Sequence, residues 1–143
     1  MKKRDNSLEI EIKSVVSKFL EKIKDKKIQI ISHFDTDGIT SASIMIQALK
    51  RLDKKFSLKI VKSIEEQFIY GLSKEEVTIF LDLASGSLNY IANSGLTDVF
   101  IIDHHEIIQD IPENVSIINP ELHGKQKISS AGLAYLFCKE IDE

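Results

Sequence analysis

The chain has a single cysteine among 143 residues, so no internal disulfide can staple it. That residue, Cys138, lies among Leu136, Phe137 and Ile141, which reads as a buried helix position in a reducing compartment. No run of about 18 apolar residues occurs, which excludes a membrane-spanning helix within this sequence. The opening Met1-Lys2-Lys3-Arg4-Asp5-Asn6 is charged and leads into no apolar stretch, so no signal peptide is expected. Internal repeats, low-complexity tracts and linkers are also missing. The expectation is one domain over residues 1–143, cytoplasmic, with no membrane partner.

Against those absences, 43% of the residues are hydrophobic, enough for a sizeable core. The net charge of −3 hides an asymmetry. Residues 1–27 carry nine of the 19 basic and five of the 22 acidic side chains, a net of +4, which leaves −7 for the rest. The basic segment reads first as a solvated helix face, with a strip lying along a nucleic-acid backbone as the alternative. Leu8, Ile12, Val15, Val16, Phe19, Leu20 and Ile23 recur at helical spacing and predict an amphipathic helix over about 7–24. Asn6 and Glu9 resemble its capping box.

Strands and helices then alternate. Ile28, Ile30 and Ile31 predict a buried strand, and Ile44, Met45, Ala48, Leu49 and Leu52 the inward face of a helix. Further strands are expected at 57–61, 77–81, 99–102 and 115–118. Short helical pieces fit 64–70 and 88–93, with Gly95 as a stop, and a last helix fits 129–141. The pattern predicts an α/β fold, a doubly wound, mainly parallel five-stranded sheet with helices on both faces.

Chemistry-bearing residues sit where those strands end. The first strand runs into His33-Phe34-Asp35-Thr36-Asp37-Gly38, the third into Asp82 and the fourth into Asp103-His104-His105. In an extended turn His33, Asp35 and Asp37 alternate and project to one side. Asp37-Gly38 also has a bland reading, as an N-cap followed by a φ > 0 position. A parallel sheet brings its strand ends to one edge, where α/β folds build their sites. A cluster of carboxylates there is costly without a cation. Mixed carboxylate and imidazole ligands suit manganese, with zinc, iron or magnesium after it. A bridging carboxylate such as Asp82 would let two ions sit roughly 4 Å apart and act on a phosphodiester. Helix starts around Gly38 and at Ser129, Ser130 and Gly132 would offer backbone donors to phosphate.

The ordered set Ser32-His33-Phe34-Asp35-Thr36-Asp37-Gly38, Ser41-Ala42, Asp82 and Asp103-His104-His105 resembles motifs one to three of the DHH phosphoesterase superfamily. Asn119-Pro120 and Ser129-Ser130-Ala131-Gly132 resemble its next strand end and helix start. Within the superfamily the form is most similar to archaeal RecJ-like proteins. The resemblance implies a first manganese on His33, Asp35 and Asp82, and a second on Asp37, Asp82 and His104. It implies that Asp103 orients the cluster and that His105 faces the scissile phosphate, which makes Asp103, His104 and His105 the catalytic set. His123 has two readings, a phosphate contact at the rim or a solvated surface residue.

The implied activity is end-directed hydrolysis of single-stranded DNA or RNA. Sister families act instead on short oligonucleotides, pAp or cyclic dinucleotides, and one branch cleaves pyrophosphate. A scaffold role among replication proteins is the alternative from a different class. The family also has a further metal-binding Asp and a C-terminal DHH-associated domain, and neither matches any stretch up to Glu143, so a truncated domain or a reduced member is expected.

Overall fold

Period-two alternation decides which face of the sheet each strand residue serves. The structure, a computed structural model, describes residues 6–124 and 127–142. Five strands, β1 (Ile28–His33), β2 (Phe56–Val61), β3 (Val77–Leu81), β4 (Val99–Ile102) and β5 (Val115–Ile118), form one sheet in the order β2-β1-β3-β4-β5. Every pairing is parallel. The helices are α1 (Ser7–Lys22), α2 (Thr36–Arg51), α3 (Glu66–Tyr70), α4 (Leu88–Ala92) and α5 (Ser130–Ile141), with a 3₁₀ turn at Pro120–Leu122.

Ile28, Ile30, Val77, Ile79, Leu81, Phe100, Ile102 and Ile118 face one way and pack under α1, α2 and α5. Ile31, Phe80, Val99, Ile101, Val115 and Ile117 face the other way and pack against Ile69, Leu72, Leu88 and Ile91 around α3 and α4. Strands buried on both faces are continuous apolar runs, as the parallel arrangement requires. Phe19 of α1 anchors the first layer, with edge contacts to Phe100 and Phe137 at ring separations of 5.3 Å. Cys138 is buried in the same layer, and burial pushes its thiol up to about 12, as fits a packing residue. No helix among the described residues is long and apolar enough to cross a membrane.

Local details differ from the sequence reading. The capping box does not form. Asn6 has φ −97° and ψ 12°, outside the extended geometry of a side-chain cap, and makes no side-chain cap bond. Helix α1 ends at Lys22, and Lys22 and Lys26 both pair with Asp98, at 3.3 and 2.6 Å. The N-cap of α2 is Asp35, not Asp37; its carboxylate accepts from the Gly38 amide at 2.9 Å. Gly38 is helical rather than left-handed. A Cβ there would lie 2.1 Å from the His33 carbonyl oxygen, so close backbone approach is what requires glycine.

The strand order fixes where a site can form. The chain moves from β1 outward to β2, then returns across β1 to β3. Connections therefore leave β1 and β3 in opposite directions, and a crevice opens between their C-terminal ends. His33 closes β1 at that crevice, and Asp82 directly follows β3.

Candidate metal centre

Asp82 is the hub of the crevice. Its residue is 1% exposed and its backbone is left-handed, with φ 62°. An aspartate tolerates that region better than most residues, and outliers of this kind concentrate at functional sites. The Asp82 amide donates to the Ile102 carbonyl, which fixes the turn to β4. One carboxylate oxygen accepts from the Ser130 hydroxyl at 2.9 Å and lies 3.2 Å from His104 Nε2. The other lies 3.4 Å from His33 Nδ1. His33 Nδ1 is also 3.0 Å from Asp35.

Burial raises the Asp82 pKa to about 6, and the neighbouring Asp35 and Asp37 reinforce the rise. Asp35 shifts the opposite way. Its bond from the Gly38 amide holds it below the ordinary carboxylate range. The two carboxylates are thus pushed apart in pKa, and a bound cation would relieve the repulsion between them.

Asp37 reaches the site by a route that strand alternation did not anticipate. Helix α2 starts at Thr36, so Asp37 projects from its first turn and not from an extended segment. Its carboxylate accepts from the amides of Ser130 and Ala131 at 3.1 and 2.8 Å. It is therefore bonded to the free donors at the start of α5 as well as lying 3.3 Å from His104 Nε2.

Asp103 is fully buried and acts mainly on its own loop. One oxygen accepts from the His104 amide at 2.8 Å and holds His105 Nδ1 at 2.6 Å; the other accepts from the Ser85 amide at 3.2 Å. This fixes the His105 tautomer with Nδ1 on Asp103 and leaves Nε2 for a ligand. Burial opposes protonation of His105, but the Asp103 charge and hydrogen bond outweigh it and raise the pKa.

Among the described residues, two sets of possible ligand atoms occur, the atoms within each set lying within 4.8 Å of one another. One is His33, Asp35 and Asp82; the other is Asp82, Asp103, His104 and His105. Asp82 is common to both. Carboxylate and imidazole donors gathered around a buried acid that burial keeps partly protonated fit a divalent cation.

The backbone donors expected to meet phosphate have internal partners. The Gly38 amide bonds Asp35, the Ser130 amide bonds Asp37, and the Gly132 amide bonds the Ser129 hydroxyl at 3.0 Å. His123 is not a solvated surface residue, and its partners lie on α1. It joins Ser7, at 2.9 Å from Nδ1, and Glu11 on α1, with a side chain only 11% exposed. Asn119 supports the site through the His105 backbone and bonds none of the ligand atoms. Fully buried, it donates to the His105 carbonyl at 2.8 Å and to the Ser85 hydroxyl at 3.1 Å. Its side-chain oxygen caps the 3₁₀ turn through the Glu121 amide. An Asn-Pro pair after a strand reads as turn chemistry, so only its position in the sequence order hinted at this role.

Residues 27–143 match the family model described as DHH family, N-terminal domain. The chain belongs to the DHH family. It is 34% identical over 143 residues to the uncharacterized protein MJ0831 of Methanocaldococcus jannaschii, covering 91% of this chain and 33% of that protein. It is 25% identical over 126 residues to the single-stranded-DNA-specific exonuclease RecJ of Bacillus subtilis, covering 78% of this chain and 16% of that one. The fold is similar to that in the crystal structure of exonuclease RecJ bound to manganese, with a TM-score of 0.78 at 17% identity, over 91% of this chain and 37% of that one. The DHH chain thus spans a third or less of the length of these curated relatives.

Proposed function

We propose that this DHH domain is a two-manganese phosphodiesterase centre that acts on the ends of single-stranded nucleic acid. The observation that carries the reading is Asp82, a buried carboxylate common to two adjacent ligand sets at the switch point of the sheet. His33, Asp35 and Asp82 would hold one ion. Asp82 and His104, with Asp37 beside them, would hold the second. Divalent ions bound in this way lower the pKa of a water and neutralise charge on the phosphodiester.

The chain's own residues prepare the rest. Ser130 orients Asp82 through its hydroxyl, so one carboxylate lone pair is committed and the others remain for ligation. Asp103 holds the His105 ring by Nδ1 and favours its protonated form, in which Nε2 would donate to a phosphate oxygen or to the leaving oxygen. In the hydrolysis a water oxygen bonds to phosphorus, the bond to the leaving oxygen breaks, and a proton passes to that oxygen. The single-strand specificity of RecJ supports a nucleic-acid substrate, and the mixed carboxylate and imidazole donors suit manganese among the divalent ions.

Calorimetric titration with manganese, beside Asp82→Ala, tests this reading. Two bound ions in the wild type, and loss of both binding and single-strand hydrolysis in the variant, are expected. Unchanged metal binding in Asp82→Ala would refute it. A single ion in the wild type would mean that a ligand from outside these 143 residues completes the second site.

A further inference from the structure

The β2 edge of the sheet is open among the described residues. Strand β2 pairs only with β1, and Ser57, Leu58, Lys59 and Ile60 at its centre are all exposed. The parity of the ladder decides which backbone groups remain free. The Ile28 amide donates to the Lys55 carbonyl, so in this parallel register the amides and carbonyls of Ser57 and Lys59 turn toward β1. Those of Leu58 and Ile60 turn outward, and no loop or side chain among the described residues bonds them.

Side chains alternate along the same strand. Leu58 and Ile60 are the register partners of Ile30 and Ser32 and share their face, where they are 38% and 44% exposed. Lys59, the partner of Ile31, stands on the opposite face with Nζ 5.7 Å from the Phe68 ring centroid. Residues 50–62 carry six basic side chains and one acidic. Lys54, Lys55, Lys59 and Lys62 enter no ion pair among the described residues. Lysines blunt an edge strand against pairing with its own kind. Blunting alone does not account for Leu58 and Ile60, two large apolar side chains left in water on the strand between those lysines.

We propose that β2 takes up an extended acidic segment of a partner protein as a sixth strand of the sheet. Main-chain bonds to Leu58 and Ile60 hold the segment, and its alternate side chains give it specificity. Apolar residues lie beside Leu58 and Ile60, and carboxylates at the positions between them face Lys59. Charge complementarity selects this occupant. Two β2 strands paired about a two-fold axis would bring two basic segments together, with like charges across the ladder. A nucleic-acid strand would meet the lysines, but its phosphates offer no donor to the outward carbonyls of Leu58 and Ile60 and no apolar surface to their side chains. None of these residues is a candidate metal ligand, so the surface stands whether or not the metal centre hydrolyses phosphodiesters.

Amide NMR and hydrogen exchange on the full chain test the assignment, with a seven-residue peptide that alternates glutamate and valine and is blocked at both ends. The peptide is expected to slow exchange of the Leu58 and Ile60 amides at least about tenfold, while Ser57 and Lys59, already bonded to β1, change less. Replacing the central valine by proline, or every glutamate by lysine, should weaken binding at least about tenfold. The double variants Leu58→Ser with Ile60→Ser, and Lys55→Glu with Lys59→Glu, should each weaken it by a similar factor. All four positions are exposed, and unchanged protection of Ile30 and Phe80 in the core confirms that each variant is folded. An absence of any shift at Leu58 and Ile60 in millimolar peptide overturns the proposal, as does equal binding of the proline peptide. Binding that survives both double variants overturns it too. A seven-residue thymidylate that protects the same two amides as tightly as the peptide would replace the proposal with a nucleic-acid surface. Protection that grows with protein concentration alone would replace it with a second copy of the chain.

Discussion

Replacing Asp82 by asparagine should make the metal-free protein more stable while removing its response to metal. The buried carboxylate has a pKa near 6 instead of the ordinary 3.8. Between those values the folded chain keeps a proton that the unfolded chain has lost. Stability of the metal-free protein therefore falls as pH rises from about 4 to about 6, then levels off. At 1.36 kcal/mol per pKa unit, the cost at pH 7 is about 2–3 kcal/mol. Asparagine removes it. The amide keeps the acceptor for the Ser130 hydroxyl, gains a donor for Asp35, and tolerates the left-handed backbone. For a chain of this size the gain corresponds to a Tm roughly 6–12 °C higher at pH 7. Manganese at a hundredfold its Kd should then add about 2.7 kcal/mol per site to the wild type and nothing to Asp82→Asn. Thermal unfolding by circular dichroism at pH 4 and pH 7, with and without manganese, reads all four conditions. The two proteins should draw together near pH 4, where folded Asp82 is protonated and unfolded Asp82 is about half protonated, and converge below about pH 3. A variant less stable than the wild type in metal-free buffer at pH 7 would refute the reasoning, as would an equal manganese shift in both proteins.

Asp37→Ala removes both the two amide bonds at the start of α5 and the carboxylate beside His104, so stability should fall by about 0.5–2 kcal/mol. Hydrogen exchange should then rise at Ser130 and Ala131, and manganese affinity should fall in the same variant. Asn119→Ala leaves the His105 carbonyl and the Ser85 hydroxyl without their buried donor, at a cost of about 1–3 kcal/mol. Urea unfolding should show that loss, while manganese affinity changes less than in Asp37→Ala because Asn119 bonds only the backbone of His105 and no ligand atom.

The apolar runs were enough to foresee five strands in a mainly parallel sheet: β1, β3, β4 and β5 are buried on both faces and read as continuous apolar runs, whereas β2 is largely exposed and shows only an alternation. They were also enough to place His33, Asp82 and Asp103 at strand ends, since a parallel sheet gathers such ends at one edge. Backbone hydrogen bonding at the turns was less legible. Whether Asn6 or Asp35 caps a helix depends on a few dihedral angles, and those depend on what the next element packs against. His123 shows the same limit. Its neighbours in sequence, Leu122 and Gly124, say nothing of a partner, and its partners, Ser7 and Glu11, come from more than 110 positions away.

By itself, then, the sequence determined the strand count, the two-faced core and the gathering of acids and imidazoles at the C-terminal edge, all of which follow from local periodicity and chain order. Tertiary structure decided which atom meets which. It turned Asp37 toward the α5 amides, set Asp103 behind His105, and enclosed Asp82 among His33, His104 and Ser130 so that its pKa rose. Those outcomes depend on distances between elements far apart in the chain, which burial and hydrogen-bond satisfaction set only once the sheet has formed.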